Sequence, residues 1–252
     1  MHIKAIKSCR VNAFQDLNRF VDAYLPMISE ESIVVVTSKV VSICEGRTVP
    51  KHSVTKEKLI QQEADLVIAN TKLSNEHIVL TLKNNLLIPS AGIDESNGND
   101  AYVLYPKDCF ASAKQLWSFL RTQRRIQKLG ILITDSHTTP LRKGVTGIAL
   151  AWWGFDPLFS YVGKPDLYGY PLRVTYINTV DALAASAAFL MGEGDECTPL
   201  AMIENAPHMT FNENLHTYHE VCIAPEEDLY QPLLKSLSPE DNKTFSRNFE
   251  PS

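Results

Sequence analysis

Residues 32–46 read SIVVVTSKVVSICEG. Ile33, Val34, Val35 and Val36 form a β-branched run bounded by polar residues, which is the pattern of a fully buried strand. No glycine or proline separates that run from Ser38–Cys44, where a short helix is expected to follow and to stop near Gly46. Upstream, Phe14, Leu17, Val21 and Leu25 recur at helical spacing, and Pro26 closes that helix. Downstream, residues 56–69 read as a helix. Ile78–Leu82 and Leu86–Ile88 flank Lys83-Asn84-Asn85, the signature of a hairpin. A short strand is expected at residues 101–105, a helix at 111–125 with Leu116, Phe119 and Leu120 on one face, and a buried strand at 130–134 that ends at Asp135. Residues 172–176 read as a strand. Thr179 is placed to cap a helix that Gly192 terminates, and Leu200–Ile203 reads as a last core strand. Strands and helices mix without regular βαβ alternation, so the class is α+β. Residues 237–252 are polar and aperiodic and read as a mobile tail after a folded unit over 1–236.

The chain has 252 residues, enough to bury a sizeable core. Its formal charge of −5 provides no net basic footprint for nucleic acid or an anionic membrane, so neither is expected as a partner. The five cysteines are odd in number, widely spaced and free of CxxC. They fit a reducing compartment rather than a disulfide framework or a thiolate zinc site. The first residues, MHIKAIKSCRVNAF, contain no apolar segment of signal-peptide type, and the longest uncharged apolar run, 182–191, is too short to span a bilayer. A cytoplasmic protein is expected.

Three polar, acidic clusters sit at the ends of the apolar strands: residues 91–100 around Asp94 and Asn97, residues 134–144 around Asp135, Ser136, His137 and Arg142, and residues 191–196, MGEGDE. Carboxylates beside Ser, Thr and Asn oxygens are hard ligands suited to Mg²⁺, Mn²⁺ or Ca²⁺. Gly-rich turns leave backbone amides free for phosphate. The same residues also make plain surface turns. The first cluster is not an EF-hand, and neither GxxxxGK[ST] nor GxGxxG occurs.

Taken in order, the segments resemble one family. Ser38-Lys39-Val40-Val41-Ser42 with Glu45-Gly46-Arg47 resembles the SKxVSxxEGR stretch of the coenzyme F420-0:L-glutamate ligases, or γ-glutamyl ligases. Ala91-Gly92-Ile93-Asp94 with Ser96-Asn97 is similar to their AGxDxSN, and residues 135–144 to their DTFGRPWRxG. Asp166, Gly169, Leu172 and Thr175 resemble DxxGxxLxxT, and Met191-Gly192-Glu193 with Asp195-Glu196 resembles MGxxDE. The resemblance spans roughly residues 3–204. Ile43 stands where the family often has lysine, and His137-Thr138-Thr139-Pro140-Leu141 replaces FGRPW, so the resemblance is to a divergent member.

The resemblance implies a fold of two interleaved α+β subdomains, assembled as a homodimer. It implies a ligase that uses GTP and divalent metal, Mg²⁺ or Mn²⁺ and two ions, to join L-glutamate as a γ-linked amide to a carboxylate acceptor through an acyl phosphate. It assigns Asp94, Asp135, Ser136 and Glu193 to metal. Ser38, Lys39, Asn97 and the phosphate loop Met191, Gly192, Gly194, Asp195 and Glu196 are assigned to the nucleotide. Asp135, His137 and Arg142 are the catalytic candidates. The residues by themselves leave open a metal-dependent phosphohydrolase on the same loops and a non-catalytic nucleotide or metabolite binder. Elsewhere, His216 and His219 read as members of a surface loop. Arg121, Arg124, Arg125 and Lys128 read as a solvated complement to a helix C-terminus, and Trp152-Trp153 as core or dimer interface.

Overall fold

The computed structural model describes residues 1–73, 76–224 and 226–237. The elements in chain order are β1 (His2–Ile6), α1 (Leu17–Tyr24), β2 (Ser32–Thr37), α2 (Ser38–Cys44), β3 (Thr48–Pro50), α3 (Lys56–Glu63), β4 (Leu66–Leu73), β5 (Glu76–Lys83), β6 (Leu86–Pro89), β7 (Ala101–Val103), α4 (Cys109–Arg124), β8 (Leu129–Thr138), β9 (Val145–Trp153), β10 (Leu158–Ser160), β11 (Tyr176–Asn178), α5 (Thr179–Met191), β12 (Leu200–Glu204) and α6 (Gln231–Leu237). The class is α+β. Beyond Leu237, the tail expected from residue 237 onward lies outside the described residues. The described residues form two compact units: those of 1–47 with 106–217, and those of 48–105 with 218–237.

The first unit is built on a five-stranded sheet in the order β1-β12-β2-β8-β9. Only β2 and β8 run parallel; every other pair is antiparallel. Val34, Val36, Ile131 and Ile133 pack with Phe20, Val21, Val40, Val41, Ala113, Leu116 and Leu120 of α1, α2 and α4. The alternate residues Ile33, Val35 and Leu132 are equally buried, so both faces of the central pair are covered, as parallel strands require. Helix α5 packs across β9, β8, β1 and β12. Both tryptophans of the 152–153 pair are core: Trp152 meets Phe110 edge-on and Trp153 meets Trp117.

The second unit carries the three-stranded antiparallel sheet β4-β5-β6 and the pair β3-β7. Asn84 and Asn85 both take positive φ, at 50° and 60°, which suits the tight β5–β6 turn because asparagine tolerates the left-handed region. Leu59, Ile60, Val79, Ile93, Tyr102 and Leu104 form this unit's core.

Several expectations are corrected. Helix α3 ends at Glu63 rather than at residue 69, because Ala64 turns extended and the chain from Leu66 pairs with β5. Cross-strand pairing outweighed the continuing helical pattern. Of residues 172–176 only Tyr176 is in a strand: Leu172 and Thr175 bond back to Lys164, Gly163 and Tyr161 in an irregular arm, and the ladder there joins Leu158–Ser160 to Tyr176–Asn178. Strand β9 was not anticipated. The cap of α5 is Asn178, one residue before Thr179. His216 is buried, not on the surface. Its ring meets Trp153 edge-on, and Nε2 lies 3.0 Å from Asn212 Oδ1. The basic residues of α4 make tertiary ion pairs in addition to lying at a helix C-terminus: Arg121 with Glu213 (2.7 Å), Arg124 with Asp22 (2.6 Å), and beyond the helix Lys128 with Glu31 (2.7 Å).

Candidate functional site

The parallel register sets Thr37 of β2 opposite Thr134 of β8. Ser38-Lys39 and Asp135-Ser136 therefore follow from the same end of the sheet. Strand β12 runs antiparallel to β2 with Leu200 opposite Val36, so the loop entering β12 arrives at that end too. Thr37 N–H donates to Pro199 O at 3.0 Å and Ser8 N–H to Cys197 O at 2.9 Å. Three motifs far apart in sequence thus meet at the carboxyl end of a parallel strand pair, the usual place for a ligand on such a sheet. Ser38 is nearly buried, at 4% exposed, as the first residue of α2, and Lys39 beside it is half-buried.

Strand β8 does not stop at Asp135. Its ladder with β9 continues through Asp135–Ile148, Ser136–Gly147, His137–Thr146 and Thr138–Val145. These residues were expected in a loop because the apolar run ends. A ladder needs only backbone partners, however, and β9 supplies them. Between Ile133 (opposite Ala151) and Thr134 (opposite Ala149) the register jumps, leaving Leu150 as a bulge. Buried Thr134 donates its hydroxyl to Ile148 O at 2.9 Å. Asp135 is half-buried, and its Oδ1 accepts from Ser136 N–H at 2.9 Å. His137 Nδ1 lies 3.1 Å from Thr146 O. A carbonyl only accepts, so the hydrogen sits on Nδ1, and Nε2 is the acceptor in the neutral ring. Arg142 is exposed in the β8–β9 connection, with its N–H on Thr139 O at 3.2 Å.

In the third motif Met191 is buried as the last residue of α5, and Gly192 ends the helix with φ +79°. Glu193, Gly194, Asp195 and Glu196 are exposed beyond it. The Glu196 carboxylate accepts from Gly194 N–H at 2.8 Å and lies over Gly192, where a Cβ would meet its Oε2 at 2.7 Å. The Thr198 hydroxyl donates to Met191 O and closes the loop.

Asp94 and Asn97 belong to the second unit. Asp94 bridges Val103 through both backbone groups at 2.9 Å. Its Oδ1 accepts from Ser96 N–H (2.6 Å) and Ser96 Oγ (2.8 Å), an Asx turn. Asn97 is exposed with φ 56°. Next to Asp94, Glu95 is gripped by Lys56 and lies 3.6 Å from Lys51. The Lys56 hydrogen bond is the main reason its carboxyl sits below the ordinary carboxylate range. Lys51, His52, Thr55, Lys56 and Tyr102 line an open pocket of about 460 Å³ in the same unit.

Sequence reasoning gave Thr134, the first residue of the second cluster, no role of its own and passed over Asp181. The signal for Asp181 was available: Asn178-x-x-Asp181 has the spacing of a capping box before an apolar helix. Among the described residues, no group of three or more His, Cys, Asp or Glu side chains stands ready to hold a metal. Asp135, Ser136 and Glu193 offer oxygen donors, the type that hard cations take beside phosphate and water. Mg²⁺ is commonly bound in that way, by one or two carboxylates plus substrate oxygens.

The sequence profile described as F420-0:Gamma-glutamyl ligase matches residues 6–205. The coenzyme F420:L-glutamate ligase of Methanococcus maripaludis is 31% identical over 218 residues, 81% of this chain and 86% of the relative. The protein of that name from Methanosarcina barkeri is 31% identical over 79% of this chain and 82% of its own. The one from Methanopyrus kandleri is 29% identical over 69% of this chain and 68% of its own. With the profile covering most of its length, this chain belongs to the F420-0:gamma-glutamyl ligase family.

Proposed function

We propose that the protein is a nucleotide-dependent γ-glutamyl ligase that forms an amide between L-glutamate and a small carboxylate acceptor, with GTP as cosubstrate and two Mg²⁺ or Mn²⁺ ions. The observation that carries this reading is the convergence of Ser38-Lys39, Asp135-Ser136 and the 191–198 loop on one end of the five-stranded sheet. Relatives named coenzyme F420:L-glutamate ligase make an acceptor of the F420 class the first to test.

The chemistry explains the residue types. A carboxylate resists amines until one of its oxygens becomes a good leaving group. Transfer of the γ-phosphoryl group to that oxygen creates an acyl phosphate; the glutamate amine then attacks the carbonyl carbon, and phosphate departs. Bound divalent ions would neutralise the triphosphate and align the transferred group. Asp135 and Ser136 are neighbours on an extended strand and project to opposite sides, so each serves a different ion. Glu193 is a further candidate carboxylate of this unit. The 191–198 loop is the candidate phosphate loop, in which the Glu196 carboxylate now on Gly194 N–H would have to give way to phosphate, and Ser38 and Lys39 at the start of α2 sit at the same sheet end. His137 Nε2 is the available acceptor for a proton from the attacking amine, and Arg142 supplies a guanidinium suited to a carboxylate substrate.

The exposed arm between β10 and β11 supports a homodimer. Leu167, Tyr168, Tyr170 and Val174 all leave most of their surface open, a patch that a second copy would cover. The ligase reading is tested by phosphate release from GTP with Mn²⁺, L-glutamate and an F420-type acceptor. Asp135→Asn should remove it while leaving the fold intact by circular dichroism. Full turnover in that variant, or hydrolysis indifferent to glutamate and acceptor, would overturn the assignment.

A further inference from the structure

Asp181 lies three residues past the cap of α5. A carboxylate there ordinarily reaches back to the capping residue's own amide. Here Oδ1 instead accepts from the N–H of Ala149 on β9 at 2.9 Å, while Oδ2 accepts from Asn178 Nδ2 at 2.6 Å. Ala149 is the residue at which the register jumps, opposite Thr134 and one position from the Asp135–Ile148 pair. Strand β9 is an edge strand and Ala149 is 8% exposed, so its amide would lack a partner without Asp181. Two further contacts hold the same place. Thr134 Oγ donates to Ile148 O, and Gly147, opposite Ser136, lies so close under α5 that a Cβ would meet Ala188 Cβ at 2.7 Å.

We propose that Asp181 is a positioning residue for the Asp135-Ser136 pair: it pins the β8–β9 bulge and so fixes which way the strand carrying these oxygens presents them. The physical reason is the period of two in a strand. If the bulge migrates by one residue, Gly147 leaves its seat under α5 and a larger neighbour takes it. The β8 extension from Asp135 to Thr138 then loses the partner that orients it. This inference rests on the reading of Asp135 and Ser136 as metal-facing, and it goes beyond that reading by naming the group that sets their geometry.

The test uses the full chain and Mn²⁺ alone. Free Mn²⁺ is measured by electron paramagnetic resonance during titration of wild type, Asp135→Asn, Asp181→Ala, Asp181→Asn and Asn178→Ala, with amide hydrogen exchange on each. Asp181→Ala is expected to weaken Mn²⁺ binding by about tenfold, as the loss of an outer-shell partner does, and to deprotect the Ala149 and Ser136 amides. Asp181→Asn keeps an oxygen for Ala149 N–H and should bind within a few-fold of wild type. Asn178→Ala removes the helix cap but leaves the carboxylate bond, so it should lower the melting temperature without changing Mn²⁺ affinity. Equal affinity in Asp181→Ala and wild type, or equal losses in Asn178→Ala and Asp181→Ala, would overturn the proposal. If Asp181→Ala fails to fold, an unprotected Ala149 amide in wild type, or no rescue by Asp181→Asn, would overturn it instead. If wild type itself takes up no Mn²⁺, the metal reading of Asp135 is what fails. Exchange at Ala149 and Ser136 in Asp181→Ala then decides the positioning role alone, and unchanged protection overturns it.

Discussion

Gly147→Ala sets a local rule against a tertiary one, and the two predict opposite signs. Gly147 lies within β9 with no positive φ, so an L-residue fits its backbone. Locally, alanine should stabilise the protein by about 0.4–1 kcal/mol by reducing the freedom of the unfolded chain. The packing says otherwise. A Cβ at this position would stand 2.7 Å from Ala184 C and 2.7 Å from Ala188 Cβ, and closer still to Ala184 O. Carbon pairs rest at about 3.5–4.0 Å, so about 1 Å of separation is missing. The obstacle is largely helix backbone, which cannot rotate aside as a side chain would, and α5 must lift from β9. Overpacking of this kind costs about 1–3 kcal/mol, which leaves a net loss centred on about 1.3 kcal/mol. The assay is urea unfolding followed by tryptophan fluorescence. All three tryptophans, Trp117, Trp152 and Trp153, belong to the first unit and are buried there, so the signal reports the unit that holds the substitution. Gly147→Ala as stable as wild type, or more so, would refute the seating of α5 on β9 and with it the geometry behind Asp135.

Burial pushes the Cys44 and Cys109 thiols up to about 12, whereas Cys9 and Cys197 are exposed. Iodoacetamide in mild alkali should therefore mark Cys9 and Cys197 and spare Cys44 and Cys109, and rapid labelling of Cys109 by peptide mass spectrometry would contradict the packing of α4. The Lys56 hydrogen bond, with Lys51 nearby, depresses the Glu95 carboxyl below its ordinary 4.5. The stabilisation is complete above that value and is lost as pH falls through the depressed one. Glu95→Gln should accordingly flatten the acid limb of the stability profile, and an unchanged limb would remove the ion pair from the account. Leu167→Glu with Tyr170→Glu should convert a sedimenting dimer into monomer; a wild-type monomer would dismiss the arm as an interface.

What was legible in the sequence follows element by element. The strand of residues 33–36 and the helix at 38–44 came out as expected because each is specified locally, by β-branched residues in one and by the approach of Glu45-Gly46 in the other. The Lys83-Asn84-Asn85 hairpin was readable because asparagine is among the few residues that tolerate positive φ. Strand β9 was not, since residues 145–153 alternate poorly and sit on an edge, where pairing rather than side-chain pattern decides. The stretch 134–138 failed for a related reason. Polar residues on a strand look like a loop until the partner strand is known.

The sequence by itself determined the chemistry: hard oxygen donors in three clusters, their order along the chain, and a family whose members share that order. Only the tertiary structure decided which clusters meet. The parallel pairing of β2 with β8, and the antiparallel return of β12, bring residues 38, 135 and 193 to one sheet end although they are separated by about a hundred and about sixty positions. Hydrophobic periodicity states which face of a strand is buried and carries no information on which strand lies beside it. The same limit hid Asp181: its spacing from Asn178 announced a helix cap, and the fold turned its carboxylate to the amide of Ala149 on another strand.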